Sequence, residues 1–176
     1  DAQIKDALGR IKQTFIIMSG KGGVGKTAAA VNLAYLAAQT GSPTLICDLD
    51  PQSSTTYYFR VKPKLKGKAR GFTKGGKPVD QSIRGTDYEN LDLLPADFSL
   101  RNLDVTFNKL RRSKKRLKKI LSPFRADYDV IILDCPVSIN ILADNIFNAA
   151  DDILAIGNLW IHRAVLGNDT PASEVD

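Results

Sequence analysis

Apolar residues fall into short runs separated by polar and glycine-rich breaks, and the spacing within each run decides the element it predicts. Thr14-Phe-Ile-Ile-Met18 is apolar at consecutive positions, as a strand covered on both faces must be, and it breaks into a glycine-rich turn. Ala28 to Ala38 follows with helix-forming composition until Gly41-Ser-Pro43 stops it. Thr44-Leu-Ile-Cys47 predicts a second buried strand that delivers Asp48 and Asp50 at its C-terminal end, and Ser53 to Phe59 reads as a short helical or irregular piece. Leu91-Asp-Leu-Leu94, Asp129-Val-Ile-Ile-Leu133 and Asp152-Ile-Leu-Ala-Ile156 predict further strands. Leu100 to Phe124 carries Leu103, Phe107, Leu110, Leu117, Leu121 and Phe124 at helical spacing with Lys and Arg on the opposite face, and Ile139 to Ala149 predicts another helix.

Strands alternating with helices, several of them apolar on both faces, predict an α/β fold with a mainly parallel sheet flanked by helices on both faces. Residues 1–157 read as one domain, and the weakly patterned stretch 158–176 receives no assignment. Between Arg60 and Gly85 glycine, proline and lysine rise and apolar periodicity vanishes, so 62–85 is expected to be a basic, mobile loop that does not pack.

With 176 residues and 43% hydrophobic content, the chain can bury one core but not two comfortable ones. No stretch approaches the roughly 20 apolar residues of a membrane-spanning helix. The opening segment DAQIKDALGRIKQ lacks the apolar centre of a secretory signal. A soluble, cytoplasmic protein without integral membrane association is expected. Cys47 and Cys135 lie inside apolar runs, which fits buried thiols in a reducing compartment. The single histidine, His162, excludes histidine-based metal sites and serine–histidine triads.

Net charge is +6, but it is local: residues 60–84 hold nine Lys/Arg against one acid, Asp80, and residues 109–119 hold eight against none, leaving the rest of the chain at −10. Two concentrated basic segments on an acidic body fit either solvated faces or a polyanionic partner, nucleic acid or an anionic membrane.

Gly20-Lys-Gly-Gly-Val-Gly25-Lys26-Thr27 satisfies the G-x-x-x-x-G-K-[ST] phosphate loop, and it sits after a strand and opens a helix, where that motif works. Glycines let backbone N–H groups close around phosphate oxygens, Lys26 neutralises β/γ-phosphate charge, and the Thr27 hydroxyl can ligate Mg²⁺. Such a loop needs a metal-directing acid on a neighbouring strand, and Val130-Ile-Ile-Leu-Asp134 ends in one. Asp48 is a further candidate metal ligand. Read blandly, Lys21 is a solvated loop lysine, Asp48 and Asp50 form a turn before Pro51, and Asp134 caps a turn.

The motifs together resemble those of the ParA/MinD family of deviant Walker-type P-loop ATPases, most closely its Soj-like partitioning branch. The loop carries an additional lysine, Lys21, giving KGGVGKT. Cys47-Asp48-Leu-Asp50-Pro51-Gln52 is similar to that family's second motif and Asp134-Cys-Pro136 to its third, over a stretch running from about Thr14 to Ile156. The resemblance implies ATP and Mg²⁺, held by Gly20, Lys21, Gly22, Gly23, Val24, Gly25, Lys26, Thr27 and Ala28, with Thr27, Asp48 and Asp134 at the metal. It implies a catalytic set of Lys21, Lys26 and Asp50, in which Lys21 reaches a partner's nucleotide across an ATP-dependent homodimer and Asp50 positions the attacking water.

Departures are part of the expectation. Ala28 stands where the family usually has a second Thr, removing a hydroxyl contact to the α-phosphate, and Val137 replaces a common proline. Family members continue well past the fifth strand with elements that complete the sheet and contact the adenine, so the chain reads as C-terminally shortened. The implied function is a partitioning-type ATPase binding DNA nonspecifically through segments 60–84 and 109–119, associated with the nucleoid and reset by a partner that stimulates hydrolysis. A MinD-like membrane-associated positioning ATPase would need an amphipathic C-terminal helix, and Thr170-Pro-Ala-Ser-Glu-Val-Asp is neither apolar nor basic. An iron–sulfur reductase would need bridging cysteines, which Cys47 and Cys135 do not offer. From a different class, a nucleotide-binding module without turnover would be distinguished by nucleotide affinity without phosphate release.

Overall fold

The computed structural model describes residues 12–18, 25–110, 113–136, 141–156 and 161–165. The strands are β1 (Gln13–Met18), β2 (Thr44–Asp48), β3 (Arg84–Gly85), β4 (Leu91–Leu94), β5 (Val130–Asp134), β6 (Asp152–Ile156) and β7 (Ile161–Val165). The helices are α1 (Lys26–Gln39), α2 (Ser54–Tyr58), α3 (Lys68–Lys74), α4 (Lys77–Asp80), α5 (Leu103–Asn108), α6 (Arg116–Leu121) and α7 (Ile141–Ala149). The strands form one sheet in the order β3-β4-β2-β5-β1-β6-β7. Its inner strands β4, β2, β5, β1 and β6 are parallel, as their consecutive apolar residues predict.

Alternation along the central strands divides the core between two faces. Ile16, Leu45, Cys47, Ile131 and Leu133 join the cluster under α3, α5, α6 and α7, whereas Ile17, Ile46 and Ile132 pack with Ala30, Val31, Ala34 and Ala38 of α1. Among the described residues no helix is long and apolar enough to cross a membrane.

Three local expectations change. The stretch 62–85 is not a mobile loop: it holds α3 and α4, and Leu65, Ala69, Phe72 and Val79 are buried in the core. The positions 65, 69 and 72 do follow helical spacing, but the intervening lysines and glycines obscure it. Gly71 serves close approach, since a Cβ there would sit 2.0 Å from the Lys66 carbonyl oxygen. The backbone is anchored as well, with Lys66 N–H donating to Ser82 Oγ at 2.9 Å and Ala69 N–H to Ser99 Oγ at 2.7 Å.

The single helix expected over 100–124 is broken into 3₁₀ turns at Phe98–Asn102, Ser113–Lys115 and Ser122–Ala126, with α5 and α6 between them. Buried Asn145 of α7 starts α6 anew, its Oδ1 accepting from the N–H groups of Arg116 at 2.8 Å and Leu117 at 3.0 Å. A helix start satisfied from another element leaves no local signature. Finally, β3 and β7 are antiparallel additions at the two sheet edges, and β7 lies within the unassigned stretch 158–176.

Candidate nucleotide site

The parallel topology gathers the chemistry at one end of the sheet. β1 runs into the glycine-rich loop, while β2 and β5 end in Asp48 and Asp134, which are register partners. Ligands of open α/β sheets bind at this carboxyl edge.

α1 begins at Lys26 behind Gly25, whose φ of 89° lies in the left-handed region. Its first turn carries no acid of its own and its N-cap no side-chain hydrogen bond, so the N–H groups at the positive end of this 14-residue helix are not capped from within the helix. Thr27 Oγ1 donates to Asp134 Oδ2 at 2.9 Å, joining the end of the phosphate-loop motif to the strand-end acid. Gly20, Lys21, Gly22, Gly23 and Val24 lie outside the described residues, as does Val137, while Ala28 is exposed in the first turn of α1.

The three acids occupy different environments. Asp134 is only 2% exposed, and its Oδ2 also accepts from Thr55 Oγ1 at 2.6 Å. Burial, with the charge of Asp50 adding to it, pushes its carboxyl above the ordinary range against the opposing pull of Thr55, Thr27 and Lys26. Asp48 is fully buried. Its Oδ2 accepts from the Thr56 N–H at 2.8 Å and hydroxyl at 2.6 Å, and its Oδ1 from the Asp50 N–H at 3.1 Å. Burial raises it to about 6 despite these donors. Asp50 is half-buried on the turn between β2 and α2, with Oδ1 accepting from the Gln52 N–H at 2.9 Å. Ser53 then enters α2 with φ at 61°, a left-handed conformation that strains a non-glycine residue.

Cys47 and Cys135 are buried free thiols, pushed up by burial and therefore protonated hydrophobes, as expected. Sequence reading missed Thr55 and Thr56. The signal was a threonine pair shortly after the acid-rich turn, meaningful only once α2 is known to fold back over both strand ends.

Known proteins share this fold and much of this sequence. Residues 12–165 match the family described as an AAA domain. The chromosome partitioning protein ParA of Myxococcus xanthus is 34% identical over 139 residues, 78% of this chain and 49% of that protein. The sporulation initiation inhibitor protein Soj of Bacillus subtilis is 33% identical over 139 residues, 78% of this chain and 55% of its own length. The chain belongs to the ParA/MinD family of P-loop ATPases. Its fold is also that of the cobyrinic acid a,c-diamide synthase of Mycobacterium smegmatis, solved with a bound ATP analogue and magnesium. That chain superposes with a TM-score of 0.76 at 28% identity, covering 83% of this chain and 60% of its own. This ParA/MinD-type chain thus spans about half the length of the curated relatives it matches.

Proposed function

We propose that the chain is the nucleotide-binding part of an ATP-hydrolysing dimeric switch of the ParA type, acting in the cytoplasm in partitioning or positioning. The carrying observation is the 2.9 Å contact between Thr27 and Asp134. A hydroxyl and a carboxylate set side by side at a helix start are the hard-oxygen donors that suit Mg²⁺, which keeps several waters and takes its remaining ligands from phosphate. Of the expected metal set Thr27, Asp48 and Asp134, Thr27 and Asp134 remain as the metal-directing pair; Asp48, whose two oxygens are taken by Thr56 and the Asp50 N–H, braces α2 behind them instead. Mg²⁺, when bound, neutralises phosphate charge. Lys26 adds a fixed cation at the β/γ-phosphates, Lys21 supplies a second from the partner, and Asp50 orients the attacking water.

Asp50→Ala is expected to keep ATP binding and ATP-dependent dimers while phosphate release falls by about 100-fold or more. Turnover at the parental rate would take the water-orienting role from Asp50.

The proposed polyanion is nonspecific duplex DNA, and an ATPase-stimulating protein completes the cycle. Support for the DNA reading comes from a merged surface. Lys66, Lys68, Arg70 and Lys74 are exposed on or beside α3, Lys118 and Lys119 on α6, and the two helices are joined where the Arg116 Nε–H donates to the Thr73 carbonyl at 2.8 Å. Not every cation of 109–119 is free to point outward, contrary to the single-helix expectation: Arg116 is spent on that joint, whereas Lys114 stays at the surface in an exposed pair with Asp144 at 3.1 Å. Replacing Lys66, Lys68, Lys118 and Lys119 by Ala is expected to weaken DNA binding and to flatten the log–log salt slope by about 0.9 for each phosphate that is no longer neutralised. ATP affinity should stay unchanged. Equal DNA affinity and salt slope in parent and variant would return the patch to a solvated surface.

A further inference from the structure

The first turn of α2 is fastened to two strand ends at once. Thr55 reaches Asp134 of β5 and Thr56 reaches Asp48 of β2, and both threonines are fully buried. Their hydroxyls differ in what else they do. The Thr56 hydroxyl also accepts from the Ala96 N–H at 2.9 Å, so it links β2, α2 and the segment after β4 as a structural brace. The Thr55 hydroxyl is directed at Asp134 alone among the described residues, at 2.6 Å, closer than the 2.9 Å of Thr27.

Packing alone gives no reason for a hydroxyl at position 55, where a valine would fill the same space without bringing a polar group into the interior. Asp134 supplies the reason. A carboxylate with 2% exposure has lost nearly all of its hydration, and donors from the protein must replace it for the charged form to persist. Two hydroxyls converging on Oδ2 hold the group in one orientation and leave Oδ1 for other partners.

We propose that Thr55 is a positioning residue, whose hydroxyl fixes the Asp134 carboxylate in the orientation that the Thr27 hydroxyl and a nucleotide-bound Mg²⁺ require. The inference rests on reading Thr27 and Asp134 as the metal-directing pair. Because Thr55 acts through Asp134, loss of its hydroxyl is felt in the metal-dependent part of nucleotide binding and not in the part carried by phosphate contacts alone.

Calorimetric titration of a non-hydrolysable ATP analogue into the full chain, once with Mg²⁺ and once with EDTA, separates these parts. In the parent, Mg²⁺ tightens binding. Thr55→Val is expected to shrink that tightening by about tenfold, the worth of a hydrogen bond to a charged group, with the EDTA affinity preserved. Thr55→Ser, which keeps the hydroxyl, should restore it. If the valine variant shows no cooperative thermal transition, Thr55→Ala removes the same hydroxyl without the branched side chain and takes its place. An undiminished Mg²⁺ effect in the hydroxyl-free variant overturns the proposal, as does failure of serine to restore it. No Mg²⁺ effect in the parent overturns the reading of Thr27 and Asp134 itself, and the proposal with it.

Discussion

Replacing Lys26 with Ala is expected to cost about 2–5 kcal/mol of ATP affinity, a drop of roughly 30-fold to several thousandfold, because phosphate charges lose their fixed cation. Lys26 is the first residue of α1, and the helix that follows carries no acid in its first turn. The side chain also bears on the metal-directing acid, since the Lys26 cation is one of the groups that oppose the burial-driven rise of the Asp134 carboxyl. The side chain is only partly buried, and Ala has high helix propensity, so stability should barely change. Calorimetry on the folded variant decides the matter. An unchanged ATP affinity would remove the phosphate loop from the nucleotide site.

Phe72→Ala is expected to destabilise the fold by about 3–5 kcal/mol, which for a chain of this size lowers Tm by roughly 10 °C. Phe72 is 1% exposed in the core cluster that also holds Leu103, Phe107, Leu117 and Ile120. Lys68→Ala, one turn earlier on the exposed side of α3, should stay within about 0.5 kcal/mol. A mobile, unpacked loop would give small effects at both positions. Thermal unfolding of the two variants therefore distinguishes a folded 62–85 segment from a loose one.

Whether a feature could be read from the chain depends on how local its physics is. The five parallel strands were legible because a strand buried on both faces must be apolar at consecutive residues, as in Leu45-Ile-Cys47 and Ile131-Ile-Leu133. The phosphate loop was legible because strand, glycine turn, Lys26 and Thr27 follow one another within a few residues. The place of Asp134 at the carboxyl edge could be read because it needs only the end of a neighbouring buried strand.

The remainder was decided by contacts between segments far apart in sequence. α3 packs because Gly71 lets its backbone approach the Lys66 carbonyl and because Ser82 and Ser99 satisfy N–H groups at its start from elsewhere. The break before α6 depends on Asn145, 29 residues from Arg116. Thr55 acquires its partner 79 residues away only when the sheet sets Asp48 beside Asp134. Periodicity reports which face of an element is buried, a property each residue carries in its own hydrophobicity. It is silent on which polar group meets which, since that depends on the order in which the strands lie in the sheet. Composition and spacing by themselves determined a parallel α/β sheet and a phosphate-loop motif between its first strand and helix, while the tertiary structure decided which threonines hold the acids at the strand ends and which cations remain outward-facing.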